Sequence, residues 1–372
     1  MFWLRNVTLL QMRILGIESS CDETAASIVE DGHRLLSNVI HSQIDIHAAY
    51  GGVIPEVAAR SHIEVINPVI NKALSDASLT WDDIDAIAVT YAPGLVGSLL
   101  VGTLAARTLA VTKNKPLYPI HHVEAHVYAN FVTDQAESLT LTLPSKQPDF
   151  PMLALIVSGG HSQLVLFKDH GDYELLGQTQ DDAVGEAFDK VAKVLGLPYP
   201  GGPSITTAAL NGDPAAYRLP KAKMSGKYDF SFSGLKTAVL RAVQHEVGVD
   251  TTFPSFELAA RLNDAQKANF AASFQKTAIE TLVDKAEAAF KDHSPASVVI
   301  AGGVAANQEL RRQLSERLPL TIEYAPMTLC TDNAAMIATL GYFYAQKHSP
   351  TPVNEVTVVP SLSMTQTAWN KS

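Results

Sequence analysis

The feature that most constrains the fold of this chain is a weak internal repeat. Residues 13–32, RILGIESSCDETAASIVEDG, read as strand, small-polar turn, strand, and residues 152–171, MLALIVSGGHSQLVLFKDHG, read the same way. The apolar arms are short and rich in branched residues, and Gly, Ser and Asp or His fill the turns. A second pair follows. Residues 84–107, IDAIAVTYAPGLVGSLLVGTLAAR, and residues 297–314, SVVIAGGVAANQELRRQL, each give a strand, a Gly-containing turn and a helix. Both set a helix N-terminus at the end of a buried strand, where free backbone N–H groups gather an anion or nucleotide. A chain that twice writes a hairpin and later a strand-turn-helix predicts a duplicated α/β architecture. At 372 residues it exceeds what one compact core serves, so two units are expected. Residues 133–150 are polar, carry Pro144 and Pro148, and read as a linker or exposed loop between the halves. Residues 255–292 form a long helical region in which Phe270, Phe274, Ala278 and Leu282 recur every four residues, the mark of packing. The tail from 348 shows no periodicity and is expected to be loose.

Composition narrows the class. Hydrophobic residues make up 47% and charged residues 18%, an ordinary globular balance. The net charge of −10 argues against broad, sequence-independent nucleic-acid binding by this chain alone, though not against a local basic patch. The two cysteines, Cys21 and Cys330, form no disulfide framework, and a reducing cytoplasm is expected. The N-terminal apolar run is short and broken by Arg5, Asn6 and Gln11, so no signal peptide is expected, and Met12 offers an alternative start. No stretch approaches the ~20 apolar residues of a membrane span.

His122 and His126 lie four residues apart in PIHHVEAHVYANF. On a helix they share one face with Cβ atoms roughly 5–6 Å apart, a separation that suits two imidazoles on one metal ion. An isolated H-x-x-x-H is more often a pair of core or surface histidines. Here the run follows an apolar stretch ending in Pro119, as a strand or loop feeding a helix would. Asp332, in the small-residue motif CTDNAAM, is a possible third ligand, and two histidines with a carboxylate are a common non-haem iron or zinc pattern. If Asp332 joins the histidines, the last helix-like run, 331–347, returns to the first half. The units are then residues 12–132 with about 325–347, and residues 151–324.

Other motifs are individually weaker. The turn Val157-Ser158-Gly159-Gly160-His161 brings backbone N–H groups close to a phosphate or carboxylate, or is a plain β-turn. In DDAVGEAFDKVAKVLGLPYPGGPSI a helix carries Glu186, Asp189, Lys190 and Lys193, ends near Gly196 and meets a rigid Pro-Gly-Gly-Pro turn. Asp189 there is placed to accept from ribose hydroxyls, with Gly201 and Gly202 facing the same sugar or base; a solvated helix face and a structural turn are the alternative. Gly302, Gly303 and Asn307 mark the second strand-turn-helix, with Asn307 read as one turn into the helix. Glu18, Ser19, Asp22 and Glu23 crowd the first hairpin, and its carboxylates are candidates for a general base. In residues 218–241 the cations Arg218, Lys221, Lys223, Lys227, Lys236 and Arg241 stand against one acid, Asp229, with Tyr228, Phe230 and Phe232 interleaved. That is a nucleic-acid pattern, or a surface stretch whose aromatics face the core.

Taken jointly, GIESSCDETAASIVE, HAAYGGVIPEVAARSH, APGLVGSLLVG, HHVEAH, VSGGHSQL, GEAFDKVAKVLGLPYPGGP, FSFSGLKTAV, AGGVAANQELR and TDNAAMIA span roughly residues 14–341 in one order. With them the chain closely resembles the tRNA threonylcarbamoyladenosine transferase family, once described as O-sialoglycoprotein endopeptidases, and specifically its bacterial branch. The resemblance implies an actin-like ATPase and sugar-kinase fold, two domains around a central nucleotide cleft. It puts metal ligands on His122, His126 and Asp332, holding one divalent ion with Fe2+ favoured over Zn2+. It puts substrate contacts on Ile156, Val157, Ser158, Gly159, Gly160, Asp189, Gly202 and Asn307. The implied reaction moves a threonylcarbamoyl group from threonylcarbamoyl-AMP to the N6 amine of the adenosine 3′ of the anticodon in tRNAs reading ANN codons. Glu18 and Asp22 remain candidates for its base. The implied partners are tRNA, an inactive paralogue and a small ATPase subunit, with no membrane. Two features depart from the family: the extension before Met12 and a longer 133–150 loop.

Rival readings are a metalloprotease, an ATP-hydrolysing or kinase member of the same fold, and a non-catalytic paralogue. Proteases of the zincin type use H-E-x-x-H or H-x-x-E-H, and His122-Val-Glu124-Ala-His126 matches neither. A kinase does not need a two-histidine metal face, and an inert paralogue is expected to lack the metal ligands.

Overall fold

The computed structural model describes residues 11–367; the extension before Met12, Gln11 excepted, lies outside them. Two sheets organise the chain. The first is built from β1 (Arg13–Glu18), β2 (Glu23–Glu30), β3 (Arg34–Ser42), β4 (Ala86–Ala92), β5 (Leu117–His121) and β6 (Asp134–Gln135), in the order β5-β4-β1-β2-β3-β6. β1 pairs antiparallel with β2 and parallel with β4. Strand side chains alternate between faces, so Leu15 and Ile17 face one way, into a core with Ile66, Val69 and Ala106, while Ile14 faces the other, larger core. The first face is covered by α2 (Pro55–Asp76) and α3 (Val96–Lys113), which follow the short α1 (Ile44–Ala48). Covering both faces is why β1 reads as a continuous apolar run and not as an alternating one.

The second sheet holds β7 (Met152–Val157), β8 (Ser162–Asp169), β9 (Asp172–Gln178) and β10 (Ser297–Ala301), in the order β10-β7-β8-β9. Its antiparallel hairpin and its parallel β7–β10 pair repeat the β1–β2 and β1–β4 pairings of the first sheet. Between β5 and β6 lies α4 (His122–Tyr128). The helices α5 (Val184–Leu195), α6 (Gly201–Ala209), α7 (Ser233–Glu246) and α8 (Asp264–His293) follow β9. After β10 come α9 (Gln308–Arg317), α10 (Met327–Cys330) and α11 (Ala334–Lys347). On α8 the side chains of Phe270, Phe274, Ala278 and Leu282 are fully buried, and Asn263 with Gln266 closes a capping box at its start.

Helix α11 returns to the first sheet and crosses β1 at Gly16. A Cβ at that position would lie 2.2 Å from the carbonyl oxygen of Ala334, so the close crossing requires glycine. Gly302, at the end of β10, has φ +88°, and a Cβ there would stand 2.5 Å from the Val157 carbonyl oxygen.

Three expectations change. The tail is not loose: Thr351 N donates to Leu117 O (3.0 Å), Val359 N to Tyr91 O (3.0 Å), and Val356 and Met364 are buried. It lacks periodicity because it is an irregular strap held by single backbone bonds to the edge of the first sheet. Residues 133–150 are likewise more than a linker. β6 adds to β3, and Ser145 is tied to Glu323 through its N–H (2.6 Å) and hydroxyl (2.5 Å). Finally, residues 255–261 form a separate 3-10 turn ahead of α8.

Candidate functional site

Helix α4 starts at the residue that matters. His121 is its N-cap: Nδ1 accepts from Glu124 N (3.3 Å), so Nε2 carries the hydrogen and donates to Leu362 O at 3.1 Å. Burial holds the His121 imidazole down at about 3, hence neutral. One step on, His122 and His126 fall on one face, with ring centroids 4.7 Å apart. Asp332 arrives from the turn between α10 and α11. The next residue, Asn333, fixes that turn: its Oδ1 accepts from Met336 N (3.1 Å) and its Nδ2 donates to Leu329 O (3.0 Å) and Thr331 O (2.8 Å). Asp332 Oδ1 stands 3.5 Å from His122 Nε2 and 3.2 Å from His126 Nε2.

These residues fit a metal ion. One ligand atom from each of His122, His126 and Asp332 lies within 4.8 Å of the others. His126 is buried, yet among the described residues neither ring nitrogen has an aligned hydrogen-bond partner, although Asp332 is near. Orphaned buried nitrogens are costly, and a cation between them and the carboxylate satisfies Nε2. Two imidazoles and a carboxylate are the donor set of Fe2+ and Zn2+ sites.

Glu18, at the end of β1, is fully buried behind this triad. Its Oε2 meets His122 Nδ1 at 3.0 Å and accepts from Thr90 Oγ1 at 2.6 Å, while Oε1 accepts from Ser20 N at 2.5 Å. Burial alone would raise its carboxyl; the charge and hydrogen bond of His122 outweigh that and hold it below the ordinary value. For Asp332 the same contest, burial against His122 and then His126, also ends low. Burial opposes a proton on His122, but Glu18 and Asp332 on either side draw its affinity for one well above the usual. A cation bound at Nε2 competes for the place that proton would take.

His122 and Asp332 line a chamber of about 490 Å³, together with Asp22, Ser158, Gly159, Gly160 and Tyr199, while His126 is buried beside them. The Ser158–His161 turn is tight: Ser158 N donates to His161 O (2.8 Å) and His161 N to Ser158 Oγ (3.1 Å). Open space lies in front of Gly159 and Gly160. A second chamber of about 530 Å³ adjoins the first, with Gly159 and Asp189 bordering both. Its walls include Phe188, Gly202, Val304, Asn307 and Met327. Asp189 Oδ1 accepts from Gly201 N (2.7 Å) and so pins the glycine turn, and burial raises its carboxyl.

Several expected residues take different places. Ile156 and Val157 are fully buried in β7 and line neither chamber; they hold the turn from beneath. Asn307 is the N-cap of α9 and not one turn in, with Oδ1 accepting from Leu310 N and Nδ2 donating to Thr206 and Gln275. Glu124 faces away from the chambers, with Oε2 3.2 Å from Tyr173 OH, and is pushed up to about 8 by burial. It is no protease base. In the basic segment Phe230 and Phe232 are core residues, and Lys221 and Lys227 pair with Asp284 and Asp292. The sequence reading passed over Tyr199, Phe188 and the Pro93–Leu95 turn as lining residues, although each sits in or beside a motif it quoted.

The family model for tRNA N6-adenosine threonylcarbamoyltransferase (TsaD) matches residues 34–339. The chain belongs to this family. It is 50% identical over 347 residues to the tRNA N6-adenosine threonylcarbamoyltransferase of Thermomicrobium roseum, covering 90% of this chain and 93% of that protein. It is also 50% identical over 354 residues to that of Dehalococcoides mccartyi, covering 95% of this chain and all of the relative. Among solved structures, T. kodakarensis HypF aligns with TM-score 0.56 at 13% identity over 90% of this chain and 48% of HypF, a likeness of fold alone. The architecture is the two-domain, ATPase-like α/β fold, and the activity of the family is threonylcarbamoyl transfer to tRNA. Among the described residues no helix is long and apolar enough to cross a membrane.

Proposed function

We propose that this chain transfers the threonylcarbamoyl group of threonylcarbamoyl-AMP to the N6 amine of the adenosine 3′ of the anticodon in tRNAs reading ANN codons. The observation that carries the reading is the convergence of His122, His126 and Asp332 at a chamber that His122 and Asp332 line and that adjoins a second, nucleotide-sized one. When bound, a divalent ion, Fe2+ in preference to Zn2+, holds and polarises the threonylcarbamoyl group as a Lewis acid and template.

The chain's own residues do the rest. The AMP part lies in the second chamber against Phe188, Gly202 and Asn307, with Asp189 toward the ribose and the N–H groups of Gly159 and Gly160 toward the phosphate. The N6 nitrogen attacks the carbamoyl carbon, the carbon–oxygen bond to AMP breaks, and AMP leaves. An adenine amine is a weak nucleophile, so alignment outweighs base strength. Asp22, one of the carboxylates that line the first chamber, takes the proton; Glu18, enclosed and fully hydrogen-bonded, orients His122 instead.

Residues 12–132 with about 325–347 form the first lobe, 151–324 the second, and 133–150 a strap between them. Exposed Ile63, Leu100, Leu104 and Val111 on α2 and α3 give an apolar surface to an inactive paralogue, and a small ATPase subunit completes the cytoplasmic assembly. Arg218 and Lys223, exposed on the basic segment, are available to tRNA phosphates.

The test combines the purified chain and its partners with unmodified tRNA and threonylcarbamoyl-AMP, and reads threonylcarbamoyladenosine by mass spectrometry. Product from the wild type, abolished in His122→Ala and Asp332→Ala together with their bound metal, is the expected result. Product that survives in both variants removes the triad from the mechanism.

A further inference from the structure

Beside the metal chamber lies a third recess, of about 430 Å³, that the reading above leaves unused. Pro93, Gly94 and His161 line both, so the recess and the metal chamber adjoin along these residues. Its far wall is the C-terminal strap, residues 360–364, fixed there by the His121 Nε2–Leu362 O bond and by Tyr173 OH donating to Met364 O at 2.9 Å. Among the described residues no Lys, Arg, Asp or Glu lines it. That excludes recognition of a phosphate, a carboxylate or a cation by charge, and it sets the recess apart from the triad chamber, which four carboxylates line.

The polar side chains it does offer are uncharged: the amides of Gln163 and Gln178, the hydroxyls of Ser361 and Ser363, and the imidazoles of His121 and His161, which burial holds neutral. Gln163 and Gln178 are direct cross-strand partners on β8 and β9, so their side chains leave the same face of the sheet, with Cβ atoms roughly 4.5–5.5 Å apart. Gln163 is only 7% exposed, yet its Oε1 has no hydrogen-bond partner among the described residues. A buried amide oxygen left open is costly, and such a group facing a cavity marks a place where a ligand donor fits. Pro93, Pro360 and Met364 add apolar surface for a flat ring.

We infer that this recess receives the acceptor adenine itself, with Gln163 reading its major-groove edge: Oε1 accepts one N6 hydrogen and Nε2 donates to N7. This is the bidentate pairing that glutamine and adenine make elsewhere. The inference rests on the transferase reading and deepens it. Out of the stack, a base is recognised by its edge and by surface against its face. Held by one N6 hydrogen, the amine keeps its lone pair and its other hydrogen free toward the chamber across His161. Gln178, more exposed, closes the mouth of the recess beside Gln163.

The experiment is a kinetic cycle with the assembled machinery. Wild type, Gln163→Leu and Gln178→Ala are compared on tRNA carrying adenosine or 7-deazaadenosine at the acceptor position. Gln163→Leu is expected to lower kcat/KM for tRNA by ~10- to ~100-fold, with threonylcarbamoyl-AMP affinity and metal content unchanged. The 7-deaza substitution is expected to slow the wild type by about 10-fold and to leave Gln163→Leu indifferent. Gln178→Ala, at an exposed position, keeps the fold and raises KM for tRNA alone. Unaltered kinetics in both variants, a parallel loss of donor affinity, or equal sensitivity of wild type and Gln163→Leu to the missing N7 would overturn the assignment. A wild type that modifies no tRNA brings down the transferase reading and this one with it, whereas an active wild type with unaffected variants brings down this one alone.

Discussion

At the residue scale, Glu18 shows how much of the site depends on a group that meets no substrate. Both of its oxygens are committed, to His122 Nδ1 and Thr90 on one side and to Ser20 N on the other. That arrangement fixes the His122 tautomer, so Nε2 is the nitrogen left for a metal, and carboxylates in this position tune affinity. In Glu18→Gln one oxygen becomes an NH2, which faces either His122 Nδ1–H and Thr90 O–H or Ser20 N–H, donor against donor. Metal affinity is expected to fall by about 10- to 100-fold with the fold retained, read by chelator competition alongside circular dichroism; unchanged affinity would remove Glu18 from the metal's support. The histidine pair itself was legible in the sequence, because helical spacing alone puts His122 and His126 on one face. The role of Glu18 was not. It reads as one of four polar residues in a turn, and only the pairing of β1 with β2 and β4 shows that it points inward while Asp22 points to the cleft.

At the element scale, α11 decides whether the triad exists. Its packing on β1 brings Asp332 to α4, and Gly16 permits that packing. The sequence hinted at this only through the chemistry of Asp332, since contact between elements from opposite ends of the chain leaves no periodicity to read. The same limit explains the tail: single backbone bonds to Leu117 and Tyr91 impose no side-chain pattern. Helix α8, by contrast, was legible because its apolar spacing is local. In Gly16→Ala the new methyl meets the carbonyl oxygen of Ala334 and the Ala338 nitrogen, at 2.2 and 2.7 Å, and backbone cannot rotate aside as a side chain would. The expected cost is about 3 kcal/mol, the upper part of the overpacking range, measured by urea denaturation. Because α11 must shift, metal content should fall in the same variant. Wild-type stability with intact metal binding would mean that α11 does not set the position of Asp332.

At the scale of the whole molecule, the duplication predicts two similar sheets but says nothing of what clamps them. One clamp is a ring cluster centred on His170, in the turn between β8 and β9. Its imidazole stacks on Phe343 of α11, with centroids 3.9 Å apart, and touches Phe131 and Phe150 on the chain between the sheets. Burial pushes His170 down from 6.5 to about 4, partly offset by Asp169 and reinforced by Lys347. The folded protein therefore holds this ring neutral where the unfolded chain protonates it. Between these two values the unfolded state binds more protons, so stability rises with pH across the window. The contribution is complete above pH 6.5 and is lost progressively as the pH falls toward about 4. Partial exposure of the ring screens the effect, so its direction and window are the prediction. In His170→Phe the stack is kept without a titrating group, at the loss of the 3.2 Å contact with Tyr128 OH. The variant should be no more stable than the wild type at pH 7.5 and gain on it steadily down to pH 4.5, in urea denaturation at matched ionic strength. Parallel curves would place the acid sensitivity of this protein elsewhere and leave His170 as a packing ring only.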